Sequence, residues 1–213
     1  MGTEVLPKPA APVPGGGGVD AGRPGGDGDF GRGGAGMFFE PARFGLWLFL
    51  GTLTMMFVGF TSAYMVRRTA PDWAPMPPPG LLWVNTAVIL ASSVALQAAR
   101  RKLRAWNPAG VFPWLAVTGV LGGLFLGGQL AAWRVLGERG YFLAANPHNS
   151  FFYVLSGVHG VHLFVGLVWL AVVLVRARRL AYTPGEDGLG MFATYWHFLA
   201  GLWVYLLLLL FVF

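Results

Sequence analysis

Apolar and charged positions alternate in long blocks along this chain rather than residue by residue. Phe44 to Val66 carries no charge, and neither do Leu81 to Ala99, Ala109 to Trp133, Phe151 to Val175 and Leu189 to Phe213. The first run has 23 residues. As a helix it would rise about 35 Å at ~1.5 Å per residue, enough to cross a hydrocarbon core about 30 Å thick. The other runs are of similar length, so the pattern predicts an all-α polytopic membrane protein, a bundle of five transmembrane helices. The breaks between runs are turn chemistry: PDWAPMPPPG at 71–80, RRKLRAWNP at 100–108 and YTPGEDG at 182–188.

The segment before the first run reads differently. Its first 36 residues hold 13 Gly and 5 Pro, too little apolar surface to offset the entropy of ordering it. Residues 1–38 are therefore expected to be a disordered tail and 39–213 the transmembrane domain. A Pro-rich docking peptide is the other reading of the tail. No continuous apolar stretch follows Lys8, as a cleavable signal would require.

Composition removes whole classes of function. Only 11% of the residues are charged, against about 25% in soluble domains, so a soluble enzyme is excluded. Without cysteine there are no disulfides, thiolate metal sites or cysteine nucleophiles. The net charge of +6 comes from basic clusters between the apolar runs, which are topology signals and not a nucleic-acid face. Eleven Lys and Arg fall on the side of the N-terminus (Lys8, Arg23, Arg32, Arg43, Arg100, Arg101, Lys102, Arg104, Arg176, Arg178, Arg179). Four fall opposite (Arg67, Arg68, Arg134, Arg139). That asymmetry predicts a cytoplasmic N-terminus and an external C-terminus.

Inside the runs the chemistry is sparse. All nine acidic residues lie in the tail or loops, and a chain with no intramembrane carboxylate is a poor carrier of protons or cations by itself. A small transporter would also want an ionisable or unwound mid-membrane site. Gly119, Gly123 and Gly127 recur every four residues, as do Ser156 and Gly160, and such stripes are read as helix-packing seams. His159 and His162 share a face of the fourth run and His197 opens the fifth. Neutral imidazole suits haem or metal ligation, but two ligands on adjacent turns cannot clamp one macrocycle, and His197 would have to be the partner. The competing reading is a structural or lipid-headgroup role. His148 is expected to be a solvated loop residue. No nucleophile–base pair, phosphate loop or acidic metal cluster is present in the sequence.

The motifs together resemble subunit III of the haem-copper respiratory oxidases. NSFFYVLSGVHGVHLFVGL at 149–167 is similar to that family's signature, YWHFLAGLWVYLLL at 195–208 to its terminal helix, WVNTAVILASS at 83–93 to its Asn-Thr and Ser-Ser helix. LGGLFLGGQ at 121–129 and RFGLWLFLGTLTMMFVGFTSAY at 43–64 supply the remaining spans. The resemblance covers about residues 40–213. It implies the five-helix bacterial form, which lacks the first two helices of seven-helix members and keeps a cytoplasmic N-terminus in the cell inner membrane. It further implies an accessory subunit without redox centres. Haem and copper would sit in a catalytic subunit I and a subunit II, in a complex that reduces dioxygen to water with electrons from cytochrome c or a quinol and translocates protons. A lipid-filled cleft between splayed helices would hold bound phospholipid, with Trp47, His159, His162, Trp196, His197 and Arg176 as the lipid-binding or structural residues. Two family acids are replaced, by Leu53 in the first span and Ala200 in the last. A subunit III-like accessory protein of a nitric oxide reductase, and a stand-alone transmembrane carrier of b-type haem, are the other assignments open to such a sequence.

Overall fold

The computed structural model describes residues 41–144, 146–179 and 188–212. The glycine-rich segment 1–38 and most of the turn at 182–188 lie outside the described residues, as do Lys8, Arg23, Arg32, Glu186 and Asp187. The described residues form five helices: α1 Pro41–Arg67, α2 Gly80–Arg104, α3 Val111–Glu138, α4 Pro147–Arg178 and α5 Gly188–Phe211, with one 3-10 turn, Pro108–Gly110. Among the described residues there is no strand. All five are long and apolar enough to cross a membrane, so the protein is a multi-pass membrane protein.

The helix ends follow local chemistry. Pro79 precedes α2 in extended conformation, because a proline ring cannot continue the upstream chain as helix. Asn146 caps α4 by accepting the Asn149 N–H at 3.1 Å, with Pro147 in the first turn. α3 stops at Gly140, whose φ of 84° suits glycine; the following Tyr141 N–H reaches back to the Leu136 carbonyl at 3.0 Å. α2 runs through Arg104, past the start of its basic cluster, since long cationic side chains can keep their heads in the interface while their stems stay on the helix.

The most extensive packing is between α2 and α3, followed by α3 with α4 and α4 with α5; α5 closes the bundle by returning to α2, while α1 touches chiefly α5. Lipid tails are as apolar as leucine, so helices in a membrane associate through close packing and interhelical hydrogen bonds. Both devices are present. Trp196 Nε1 donates to Ser92 Oγ and Trp203 Nε1 to Thr86 Oγ1, each at 3.0 Å, pinning α5 to α2. Asn85 Nδ2 donates to the Phe125 carbonyl at 3.0 Å, joining α2 to α3. Tyr195 donates to the His162 carbonyl at 2.8 Å, and Trp133 Nε1 to Ser156 Oγ at 3.2 Å.

Close approach falls at Gly122 and Gly128. A Cβ on Gly122 would stand 2.8 Å from the Trp196 ring, and one on Gly128 would collide with the Asn85 amide. The stripe read from spacing behaves otherwise within this chain. Gly119 lies against Leu170, but a Cβ on Gly123 or Gly127 would meet nothing within 4 Å among the described residues. Both are on the outward face of α3. Ser156 is buried in the α3–α4 interface, and a Cβ on Gly160 would be at ordinary van der Waals distance from Leu126, 3.8 Å.

Candidate functional site

Three hollows lie along α1, one against α4 and two against α5, the last of these also reaching the end of α2. The largest, about 1150 Å³, lies between the end of α1 and the start of α4 and is lined by Gly59, Ser62, Asn146 and Phe151, among others. On its rim Arg67 makes a two-pronged ion pair with Asp72, 2.9 and 2.6 Å. Midway along α1, Thr54, Val58, His197, Gly201 and Tyr205 line an apolar groove of about 490 Å³. At the far end Arg43, Trp47, Arg100, Arg104 and Thr194 line a hollow of about 360 Å³. Arg100 and Arg104 come from the last two turns of α2, and their spacing of four places them on one helix face. Cationic guanidinium groups around an aromatic ring at a helix-bundle end can receive an anionic headgroup, while the adjoining groove is apolar enough for an acyl chain.

The sequence-derived residues divide among three environments. Trp47 is 62% exposed and lines the basic hollow, and His197 lines the groove. Trp196 and His159 are fully enclosed in the core. His159 lies between Phe125 and Trp203, with ring centroids 6.0 and 5.4 Å away. His162 is half-buried, and its Nδ1 donates to the Val158 carbonyl one turn back, 2.7 Å. Arg176 is exposed at the end of α4, beside Arg178, whose guanidinium sits 4.9 Å over the Phe112 ring. The three histidines therefore have separate surroundings. Among the described residues no group of three or more His, Cys, Asp or Glu is gathered as metal ligands would be.

His148 corrects the expectation of a solvated loop residue. It lies in the first turn of α4, 1% exposed. Its Nε2 donates to the Leu210 carbonyl at 3.1 Å, and its Nδ1 receives the Met76 N–H at 3.4 Å. Trp73, Phe211 and Tyr64 surround the ring. One imidazole thus ties the α1–α2 connection, the start of α4 and the end of α5 together. The signal was local: Asn-Pro-His is a helix cap followed by its first turn.

Arg100, Arg104, Thr194, Thr54 and Tyr205 were also missed as cavity residues. The two arginines were visible only as part of a topology signal, and Tyr205 could be placed only once Thr61 of α1 was seen to share a hydrogen bond of 2.8 Å with its hydroxyl. Leu53 and Ala200, the two positions at which the resemblance implies an acid in other members, are 4% and 3% exposed. A carboxylate at either position would be buried.

The family model described as cytochrome c oxidase subunit III matches residues 37–213. Cytochrome c oxidase subunit 3 of Thermostichus vulcanus is 32% identical over 174 residues, covering 79% of this chain and 85% of the relative. The protein of the same name from a Synechocystis species is 33% identical over 176 residues, covering 79% and 74%. Quinol oxidase subunit 3 of Bacillus subtilis is 26% identical over 167 residues, covering 76% and 82%.

Proposed function

The chain belongs to the cytochrome c oxidase subunit III family, and from that premise we propose that it is an accessory subunit of a bacterial haem-copper terminal oxidase. It packs beside a catalytic subunit I and a subunit II that carry the haem and copper, in a complex that reduces dioxygen to water and translocates protons. Its place is the inner membrane, with the N-terminus and the glycine-rich tail in the cytoplasm, as the eleven-to-four distribution of Lys and Arg favours. The observation that carries this reading is the extent of the family match, which takes in all five spans without interruption.

The part played by this chain is packing and lipid holding. A phospholipid would set its headgroup in the hollow of Trp47, Arg100 and Arg104 and its chain in the groove of His197 and Tyr205, with Arg176 meeting headgroups at the end of α4. His159 and Trp196 hold helices together, and the His162 ring turns back onto its own helix. The outward stripe of Gly123 and Gly127 is a seam for a helix of a neighbouring subunit, since its backbone is bare toward the outside.

Affinity purification of the chain from its native membrane in mild detergent tests the assignment. Haem- and copper-bearing subunits are expected to elute with it and the eluate to consume oxygen; recovery of the chain alone contradicts the reading. Native mass spectrometry of that complex tests the lipid: the double variant Arg100→Ala, Arg104→Ala is expected to retain less phospholipid, and an unchanged lipid count contradicts the assignment of the hollow.

A further inference from the structure

Two buried polar side chains at the α3–α4 interface are left without hydrogen-bond partners among the described residues: both ring nitrogens of His159 and both amide atoms of Gln129. His159 is fully enclosed and Gln129 is 3% exposed. The packing of the two helices puts them at one level. Phe125, one turn before Gln129, meets the His159 ring edge-on, 6.0 Å between centroids. Trp133, one turn after Gln129, donates to Ser156, which lies one turn before His159. Gln129 falls between these two rungs, beside the turn that runs from Ser156 to His159. Gln129 also lines a cleft of about 250 Å³ between α3 and α4 that is otherwise largely apolar, with Leu126, Leu130, Val161 and Phe164, so the polar groups of Gln129 and His159 have to be matched inside the bundle.

A neutral imidazole offers one N–H donor and one bare nitrogen acceptor, and a primary amide offers two N–H donors and a carbonyl. Burying such groups unmatched in an apolar interior is unfavourable. An ordered water is stable where it finds two to four polar partners and room for one molecule. We propose that His159 and Gln129 hold an ordered water between them, so that α3 and α4 are joined by an imidazole–water–carboxamide bridge. The water donates to the bare ring nitrogen and to Gln129 Oε1 and accepts from Gln129 Nε2–H. His159 then serves inside the bundle, out of reach of lipid, and the bridge does not depend on which oxidase the chain accompanies.

Radiolytic hydroxyl labelling of the purified complex in lipid nanodiscs tests this, because radicals made in bulk water do not reach the hydrocarbon interior whereas a bound water generates them in place. Trp106, 75% exposed, is the wet reference, and Phe152, fully buried, the dry one. In the unmutated chain His159, Phe125 and Trp203 are expected to label at a rate approaching that of Trp106, with Phe152 unlabelled. In Gln129→Leu their labelling is expected to fall to the level of Phe152 while Trp106 is unchanged. Labelling of His159 and Phe125 at the Phe152 level in the unmutated chain, the result a direct His–Gln pairing or a dry pocket would give, overturns the proposal. So does labelling that Gln129→Leu leaves unaltered. Because the first measurement uses the unmutated chain, the proposal stays open to refutation even if the variant does not assemble.

Discussion

α1 and α5 are nearly the same helix by hydropathy and opposite helices by position. Both are apolar enough to cross a membrane, yet far less of α1 than of α5 is buried within the chain. The difference lies in the side chains that carry polar handles. α5 presents Tyr195, Trp196 and Trp203, each donating to another helix. α1 presents Trp47 outward and reaches α5 through Thr61. In lipid, apolarity decides only that a segment is inside the membrane. Which segment is central is decided by close packing and by hydrogen bonds between helices.

Substitutions at matched residue types probe this contrast. Trp196→Ala is expected to be the most damaging, costing about 3–5 kcal/mol as a buried aromatic is removed and a cavity left; the indole hydrogen bond to Ser92 disappears with the ring. A thermal-shift assay of the purified complex would read it as a large drop in midpoint. Gly122→Val should follow, at about 1–3 kcal/mol, because the new side chain overpacks against the Trp196 ring. Tyr205→Phe removes the hydroxyl shared with Thr61 and is expected to cost roughly 0.6 kcal/mol, the usual size of an interhelical hydrogen bond in a membrane. In the same assay Trp47→Ala is expected to stay within about 0.5 kcal/mol of the parent, since its ring is mostly exposed. A loss at Trp47 equal to that at Trp196 would erase the distinction between the two helices.

The outward glycines sharpen the comparison in another direction. A Cβ at Gly123 meets nothing within 4 Å among the described residues, so Gly123→Val should leave the midpoint of the isolated chain unmoved. Recovery of partner subunits in an affinity purification is expected to fall, because the bare stripe would no longer admit a helix. Full recovery would place the neighbouring subunits on another face.

The five spans were legible because hydrocarbon tolerates few charges, and a run free of charge marks its own boundaries to within a few residues. The ends were less legible: α2 keeps Arg100 to Arg104 and α3 keeps Arg134 and Glu138 on the helix, since charged residues at the interface need not end it. The glycine stripe illustrates a different limit. In LGGLFLGGQ small residues occupy several faces of α3, so a period of four selects a face without saying what that face touches. Gly122 and Gly128, outside the chosen stripe, turn out to be the tight positions. His159, His162, Trp196 and His197 read as one cluster in sequence because they are close in type and motif. Helical rotation separates them: Trp196 points to α2 and Gly122, while the adjacent His197 faces the α1 groove. His148 was hidden by its neighbours, as Asn-Pro reads as a turn until the proline is recognised as the first residue of a helix.

The central claim is that this chain supports redox chemistry carried by its neighbours. Its most direct test is a reduced-minus-oxidised optical spectrum of the chain after separation from the purified complex, taken beside that of the remaining subunits. The haem bands are expected to stay wholly with the other subunits, leaving the separated chain featureless in the visible range. A reduced b-type haem band in the separated chain would contradict the claim.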